Sequence, residues 1–176
     1  MNDTSAFLLD DGSPPLTPGE LLECLEEIGI PHTTYRHPPV FTVEESQKLK
    51  GDLPGAHTKN LFVRDKKGSM WLLVALYDRE VDLLALAKSL GVSGRFSFGS
   101  ADRLMRYLGV TAGSVTPFAV INDHGGAVRV ALDAGLRDYD LWNAHPLDNA
   151  MTTAVRAEDM LRFLEVMDHP PVWVDV

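Results

Sequence analysis

Three short segments of the chain hold residue types whose spacing suits chemistry. His57-Thr58-Lys59-Asn60 follows the loop Gly51-Asp52-Leu53-Pro54-Gly55 and heads an apolar run. A lysine at the head of a strand can aim its ammonium at a phosphate or a developing oxyanion. It can equally face solvent. Gly109-Val110-Thr111-Ala112-Gly113-Ser114-Val115-Thr116-Pro117 joins a predicted helix to a predicted strand and is rich in small residues. Such a loop can present N–H groups to an oxyanion, or carbonyls to a water or an amine, or serve as a plain connector. His145-Pro146-Leu147-Asp148-Asn149 lies between two predicted strands. A histidine and an asparagine there can position a substrate hydroxyl, or the segment can be a polar turn whose Asp and Asn bond their own backbone.

Several standard engines are missing. The chain has no Walker loop, no G-x-G-x-x-G after a strand and no G-x-S-x-G elbow. Its histidines, at 32, 37, 57, 124, 145 and 169, include no pair at helical metal-binding spacing. The single cysteine, Cys24, has no thiolate partner for a disulfide or a zinc site, which predicts a reducing compartment.

The elements that must position these segments read as follows. Thr17, Pro18 and Glu20 predict a capped helix through Leu21, Leu22, Leu25 and Ile28 to Gly29. His32–Arg36 alternates as a short strand, and Thr42 with Glu45 predicts a second capping box, opening a helix to Gly51. Thr58–Arg64 and Met70–Tyr77 flank Asp65-Lys66-Lys67-Gly68 as a hairpin. A helix over Val81–Leu90, a strand over Arg95–Phe98 and a Ser100-capped helix to Leu108 follow. Phe118–Ile121 and Val128–Leu132 read as a second hairpin, Asp140–Ala144 and Thr152–Val155 as strands, and Ala157–Met167 as a last amphipathic helix. Strand and helix do not alternate regularly. The pattern therefore predicts an α+β fold, with a largely antiparallel or mixed sheet and helices around it. Residues 1–16 read as a loose lead-in and 17–170 as one domain.

At 176 residues, with 45% apolar and 23% charged residues, the chain suits one globular domain and excludes disorder. The net charge of −9 argues against broad binding to DNA or RNA. Charge is uneven, however: the segment from Lys48 to Lys67 carries +4, through Lys48, Lys50, Lys59, Arg64, Lys66 and Lys67 against Asp52 and Asp65. That is either a solvated hairpin or a docking site for one polyanion. No apolar stretch is long enough to cross a bilayer and the N-terminus lacks a basic n-region, so the expected setting is the cytoplasm, with no membrane partner.

Four segments, in order and spacing, resemble the YbaK-like aminoacyl-tRNA deacylases, the superfamily of the editing domain inserted in bacterial prolyl-tRNA synthetases. They are His37-Pro38-Pro39-Val40-Phe41-Thr42-Val43-Glu44-Glu45, Lys59-Asn60-Leu61-Phe62, Gly113-Ser114-Val115-Thr116-Pro117 and His145-Pro146-Leu147-Asp148-Asn149. The first favours the free-standing ProXp-ala branch over the cysteine-specific branch. The resemblance implies hydrolysis, in trans, of the ester of mischarged alanyl-tRNA(Pro). It also implies a mixed, partly barrel-like sheet with surrounding helices, and no metal or cofactor. Lys59 matches the family's functional lysine, Gly113 and Pro117 the ends of its Gly-x-x-x-Pro loop, and His145 the histidine of its later motif. Asn60, Ser114, Thr116 and Asn149 are implied substrate contacts, with Val40, Phe41 and Phe62 as candidate pocket walls. Lys48, Lys50, Arg64, Lys66 and Lys67 become candidate contacts to tRNA phosphates, and prolyl-tRNA synthetase a possible partner. The competing readings are a deacylase for cysteinyl-tRNA(Pro) or another small aminoacyl-tRNA, a non-catalytic module that binds aminoacyl-tRNA or the synthetase, and a metal-dependent hydrolase.

Overall fold

The hairpin around Asp65-Lys66-Lys67-Gly68 is the centre of the sheet. Its strands, β2 (Ala56–Arg64) and β3 (Met70–Leu76), pair antiparallel from Thr58 with Leu76 to Arg64 with Met70. The buried Asp65 carboxylate holds the turn by accepting from the N–H groups of Lys67 and Ser69. The structure, a computed structural model, describes residues 7–40 and 43–176. Around the hairpin lie β1 (His32–Arg36), β4 (Ser97–Phe98), β5 (Val128–Asp133), β6 (Leu141–Ala144), β7 (Met151–Arg156) and β8 (Val172–Val174). The order is β1-β7-β6-β2-β3-β5-β8, with β4 paired to β2 off this path. β3–β5, β5–β8 and β2–β6 are parallel and the other pairs antiparallel. This is the predicted α+β fold with a mixed sheet.

β2 changes partners along one edge. Ala56 and His57 pair with β6, and Val63 and Arg64 pair with β4. Between them, residues 58–62 have no strand on that edge among the described residues. Both faces of β3 are covered, which accounts for the continuous apolar run Met70-Trp71-Leu72-Leu73-Val74-Ala75. The larger core, on one face, gathers Leu72, Val74, Phe118, Trp142 and Phe163 under α1 (Pro18–Glu27), α4 (Ala101–Leu108) and α5 (Ala157–Val166). The smaller one packs Val63, Trp71 and Leu73 under α3 (Leu83–Ser89).

Local signals explain most boundaries. Thr17 and Glu20 form the expected reciprocal cap of α1, Ser100 caps α4, and Gly109 ends α4 at φ +65°. Helix α2 (Val43–Asp52) matches the expected helix, though its Thr42 cap lies outside the described residues. α3 starts at Leu83, two residues after the expected Val81, because Asp82 caps it. The second predicted hairpin is a correction. Pro117–Asn122 is a fully buried 3-10 helix, with Pro117 at its first position and the Thr116 hydroxyl accepting from Phe118 N–H. A short, wholly buried apolar run has no period that separates strand from helix. Both ends of the fold also reach beyond 17–170. Leu9 is buried, Asp10 N–H donates to Arg106 O, and β8 pairs with β5.

Candidate active site

A cleft of about 340 Å³ opens beside the unpaired edge of β2. His57, Thr58, Lys59 and Asn60 of β2 form one wall; Asn143, Ala144 and His145, at the end of β6, form the facing one. Ala112, Gly113 and Val115 close it from the loop after α4. Val40, Tyr77 and Thr152 complete the rim, with Ser46 and Leu49 of α2. Its size suits a small-molecule moiety.

The two walls are clamped together by Asn143. Its Nδ2 donates to the carbonyls of Pro54 (2.8 Å) and Ala56 (3.2 Å), and the Thr58 hydroxyl donates to Asn143 O (3.2 Å). That leaves Asn143 Oδ1 buried without a partner, as is Asn60 Oδ1. The Lys59 ammonium donates to the carbonyl of Arg79. His57 donates from Nε2 to Leu53 O (2.9 Å).

His145 Nδ1 lies 2.7 Å from the carbonyl of Met151. A carbonyl only accepts, so Nδ1 carries the proton and Nε2 keeps its lone pair. Burial pushes the imidazole pKa below its ordinary 6.5, and the neighbouring His37 adds to the effect. The pull of Met151 O and Asp148 toward the charged form is outweighed. The His37 and His145 rings are 6.3 Å apart. His37 donates from Nδ1 to Pro38 O (2.8 Å), and its Nε2 is 2.9 Å from the Thr152 hydroxyl.

Of the residues the sequence singled out, Lys59, Asn60, Gly113, His145 and Val40 meet in this cleft. Val115 of the Gly113–Pro117 loop also lines the cleft, while Ser114, Thr116 and Pro117 stand behind it. The buried Ser114 hydroxyl accepts from Asn149 N–H (3.2 Å) and so stitches this loop to the His145–Asn149 turn. Thr116 and Pro117 are buried in the cap and first turn of the 3-10 helix. A glycine can serve a loop by room or by a free choice of φ. At Gly113 only the room is observed: its φ is not left-handed, and a Cβ there would sit 3.2 Å from Asn149 Nδ2. Phe62 packs in the main core with its ring against Gly99, away from the cleft. Phe41 and the side chain of Lys50 lie outside the described residues.

The basic segment is divided. Lys48 is exposed on α2, which lends two residues to the rim. Arg64, Lys66 and Lys67 sit at the far end of the hairpin; Arg64 is roughly 17 Å along β2 from Lys59 at about 3.3 Å per residue. Thr152, Tyr77 and Asn143 are cleft residues that the sequence reading passed over, and His37 entered it only within a motif. Asn143 had a signal, since it stands two residues before His145 and thus on the same side of an extended chain. Among the described residues, no group of three or more His, Cys, Asp or Glu side chains is placed to hold a metal ion. No helix is long and apolar enough to cross a membrane.

A cleft offering an ammonium, a neutral imidazole and a small-residue loop is suited to hydrolysing an ester that is already activated. The model of the aminoacyl-tRNA editing domain matches residues 37–163. The chain therefore belongs to the aminoacyl-tRNA editing domain family, and its enzyme class is aminoacyl-tRNA hydrolase. It is 39% identical over 142 residues to the prolyl-tRNA editing protein ProX of Acetoanaerobium sticklandii, covering 80% of this chain and 86% of that one. It is also 39% identical over 157 residues to prolyl-tRNA synthetase associated domain-containing protein 1 of Xenopus laevis, covering 87% and 93%. In fold it is similar to a crystal structure proposed as a trans-editing enzyme for prolyl-tRNA synthetase, with a TM-score of 0.70, 17% identity, and coverage of 91% and 96%.

Proposed function

We propose that this chain removes alanine, in trans, from mischarged alanyl-tRNA(Pro), the side product of prolyl-tRNA synthetase, in the cytoplasm. The observation that carries the reading is convergence: Lys59, Asn60, Gly113 and His145, distant in sequence, line one cleft. The names of its relatives, a prolyl-tRNA editing protein among them, support the tRNA class.

In this reading the 3′-terminal aminoacyl-adenosine enters beside β2. His145 Nε2 accepts the ribose 2′-hydroxyl proton in a hydrogen bond and so orients the ester. A water oxygen adds to the ester carbonyl, the acyl C–O bond breaks, and the ribose 3′-oxygen leaves with a proton that came from water. The Lys59 ammonium faces the negative charge that develops in between, and the Gly113 loop holds the aminoacyl end. Lys48 and the hairpin-tip cations Arg64, Lys66 and Lys67 meet tRNA phosphates. Val40, Ala112, Val115 and Ala144 leave room for a methyl side chain. A synthetase pocket cannot strongly reject a smaller apolar side chain, since such differences give only about 1–3 kcal/mol, so a second, smaller sieve is needed.

The test is single-turnover deacylation of alanyl-, cysteinyl- and prolyl-tRNA(Pro). Rapid loss of alanine with prolyl-tRNA(Pro) spared is the expected result. Faster loss of cysteine would move the substrate assignment to the cysteine branch, and no loss from any of the three would leave a binding module.

A further inference from the structure

The Lys59 ammonium is held by a backbone carbonyl, that of Arg79, so the turn carrying this carbonyl fixes where the charge sits. That turn is short. Arg79 N–H donates to Leu76 O (3.1 Å), and Tyr77 N–H donates to His57 O (2.9 Å). One carboxylate grips both of its ends. Asp133, at the end of β5 and 1% exposed, accepts from Leu76 N–H through Oδ2 (3.1 Å). The same oxygen lies 3.4 Å from Arg79 Nε. Its other oxygen accepts from Gly135 N–H (2.9 Å), so the carboxylate cannot turn away. Gly135 also makes room for the guanidinium: a Cβ on Gly135 would lie 2.6 Å from the Arg79 terminal nitrogen. A buried carboxylate needs this many donors, and with them it is a rigid anchor.

We infer that Arg79 and Asp133 are positioning residues for Lys59, a clasp that holds the Leu76–Arg79 turn so that its carbonyl points the ammonium into the cleft. Neither residue lines the cleft. The inference rests on reading Lys59 as the group that faces the reaction's developing charge. The chemical reason for a clasp is that a lysine side chain has four rotatable bonds and a compact charge. Unheld, it would spread that charge over several ångströms, while a misplacement of about 1 Å is enough to cost ~10² in rate.

Arg79→Ala removes the clasp and leaves Asp133 its two backbone bonds, so the fold should survive with little change in Tm. Single-turnover hydrolysis of alanyl-tRNA(Pro) should fall about tenfold, with the affinity for uncharged tRNA(Pro) and its salt dependence unchanged. Arg79→Lys, whose ammonium can still reach Asp133, should recover most of the rate. In a Lys59→Ala background, Arg79→Ala should cause no further loss. A wild-type rate in Arg79→Ala would overturn the clasp. So would an equal, additive loss in the Lys59→Ala background. Weaker binding of uncharged tRNA with a flatter salt slope would overturn it differently, by making Arg79 a phosphate contact. If Lys59→Ala itself keeps the full rate, the reading of Lys59 fails first and the clasp has nothing to position.

Discussion

His145 is tied through its Nδ1–H to Met151 and kept neutral by burial. Its Nε2 therefore stays an acceptor on the acid side of neutrality. We expect kcat/KM for deacylation to keep its plateau below pH 6.5 and then to fall as the imidazole takes up a proton; the limb should vanish in His145→Gln. A pH–rate profile of both proteins checks this. Gly113→Ala places a Cβ 3.2 Å from Asn149 Nδ2, so the loop or the asparagine must give by a few tenths of an ångström. We expect roughly a tenfold loss of single-turnover rate with uncharged tRNA binding intact. Lost binding with preserved turnover would make this loop a tRNA holder. At this scale the motifs were legible and the placement of their residues only partly so. Ser114, Thr116 and Pro117 carry the right letters, yet Thr116 and Pro117 cap and open a buried 3-10 helix, and the Ser114 hydroxyl accepts from Asn149 N–H. The Asn143 clamp was hidden because its partners are carbonyls nearly ninety residues away, which no local pattern encodes.

Elements with a local cause were readable in the sequence: the Thr17–Glu20 box, the Ser100 cap and the Asp65 turn each announce one boundary. Elements set by pairing were not. β8 exists because Ala131–Asp133 offer an open edge, and Val172-Trp173-Val174 has no pattern of its own. The ending of α4 provides a stability test. Gly109 is left-handed, and a Cβ would lie 2.5 Å from Asn122 Nδ2 and 2.7 Å from Pro15 Cβ. Asn122 cannot easily yield, since it bonds Leu108 O and Leu16 N–H. Gly109→Ala should cost about 2–4 kcal/mol, read as a lower urea midpoint at unchanged slope. The divided basic segment provides another test. Neutralising Lys48, on the rim helix, should raise KM and flatten the salt slope by about one charge. The Lys66/Lys67 pair, at the hairpin tip, should show a comparable loss only if the tRNA body reaches that end, so the two variants together map the path of the RNA.

Across the whole molecule, one buried ion pair ties the end of the chain to its middle. His169 Nε2 lies 2.8 Å from Asp123 Oδ2 and its Nδ1 lies 2.6 Å from Met167 O, both side chains being almost fully buried. Two acceptors require two protons, so the ring is an imidazolium. Burial opposes this, but the Asp123 and Met167 bonds outweigh it and raise the pKa above 6.5. With the folded pKa raised, the pair's contribution to stability is complete below about pH 6.5, the unfolded value, and is lost as pH rises through the folded value. Denaturation midpoints from pH 5 to 9 should show this decline, and His169→Gln should flatten it. A midpoint that climbs across the same window in the wild type would contradict the assignment.

The partner change along β2 has a temporal consequence. Its β3 neighbour is reached by a five-residue turn, whereas its β6 neighbour must come from far along the chain, and β1 waits for β7, with His32 opposite Val155. Closing such long loops comes late and slowly, because the entropy of closure is lost before any contact rewards it. The walls of the cleft are therefore among the last parts to meet. In refolding from urea, far-ultraviolet ellipticity should return first, and deacylation should trail it by a separate, slower phase. A nascent chain that has not yet released residues 141–156 can carry a formed hairpin but no working cleft.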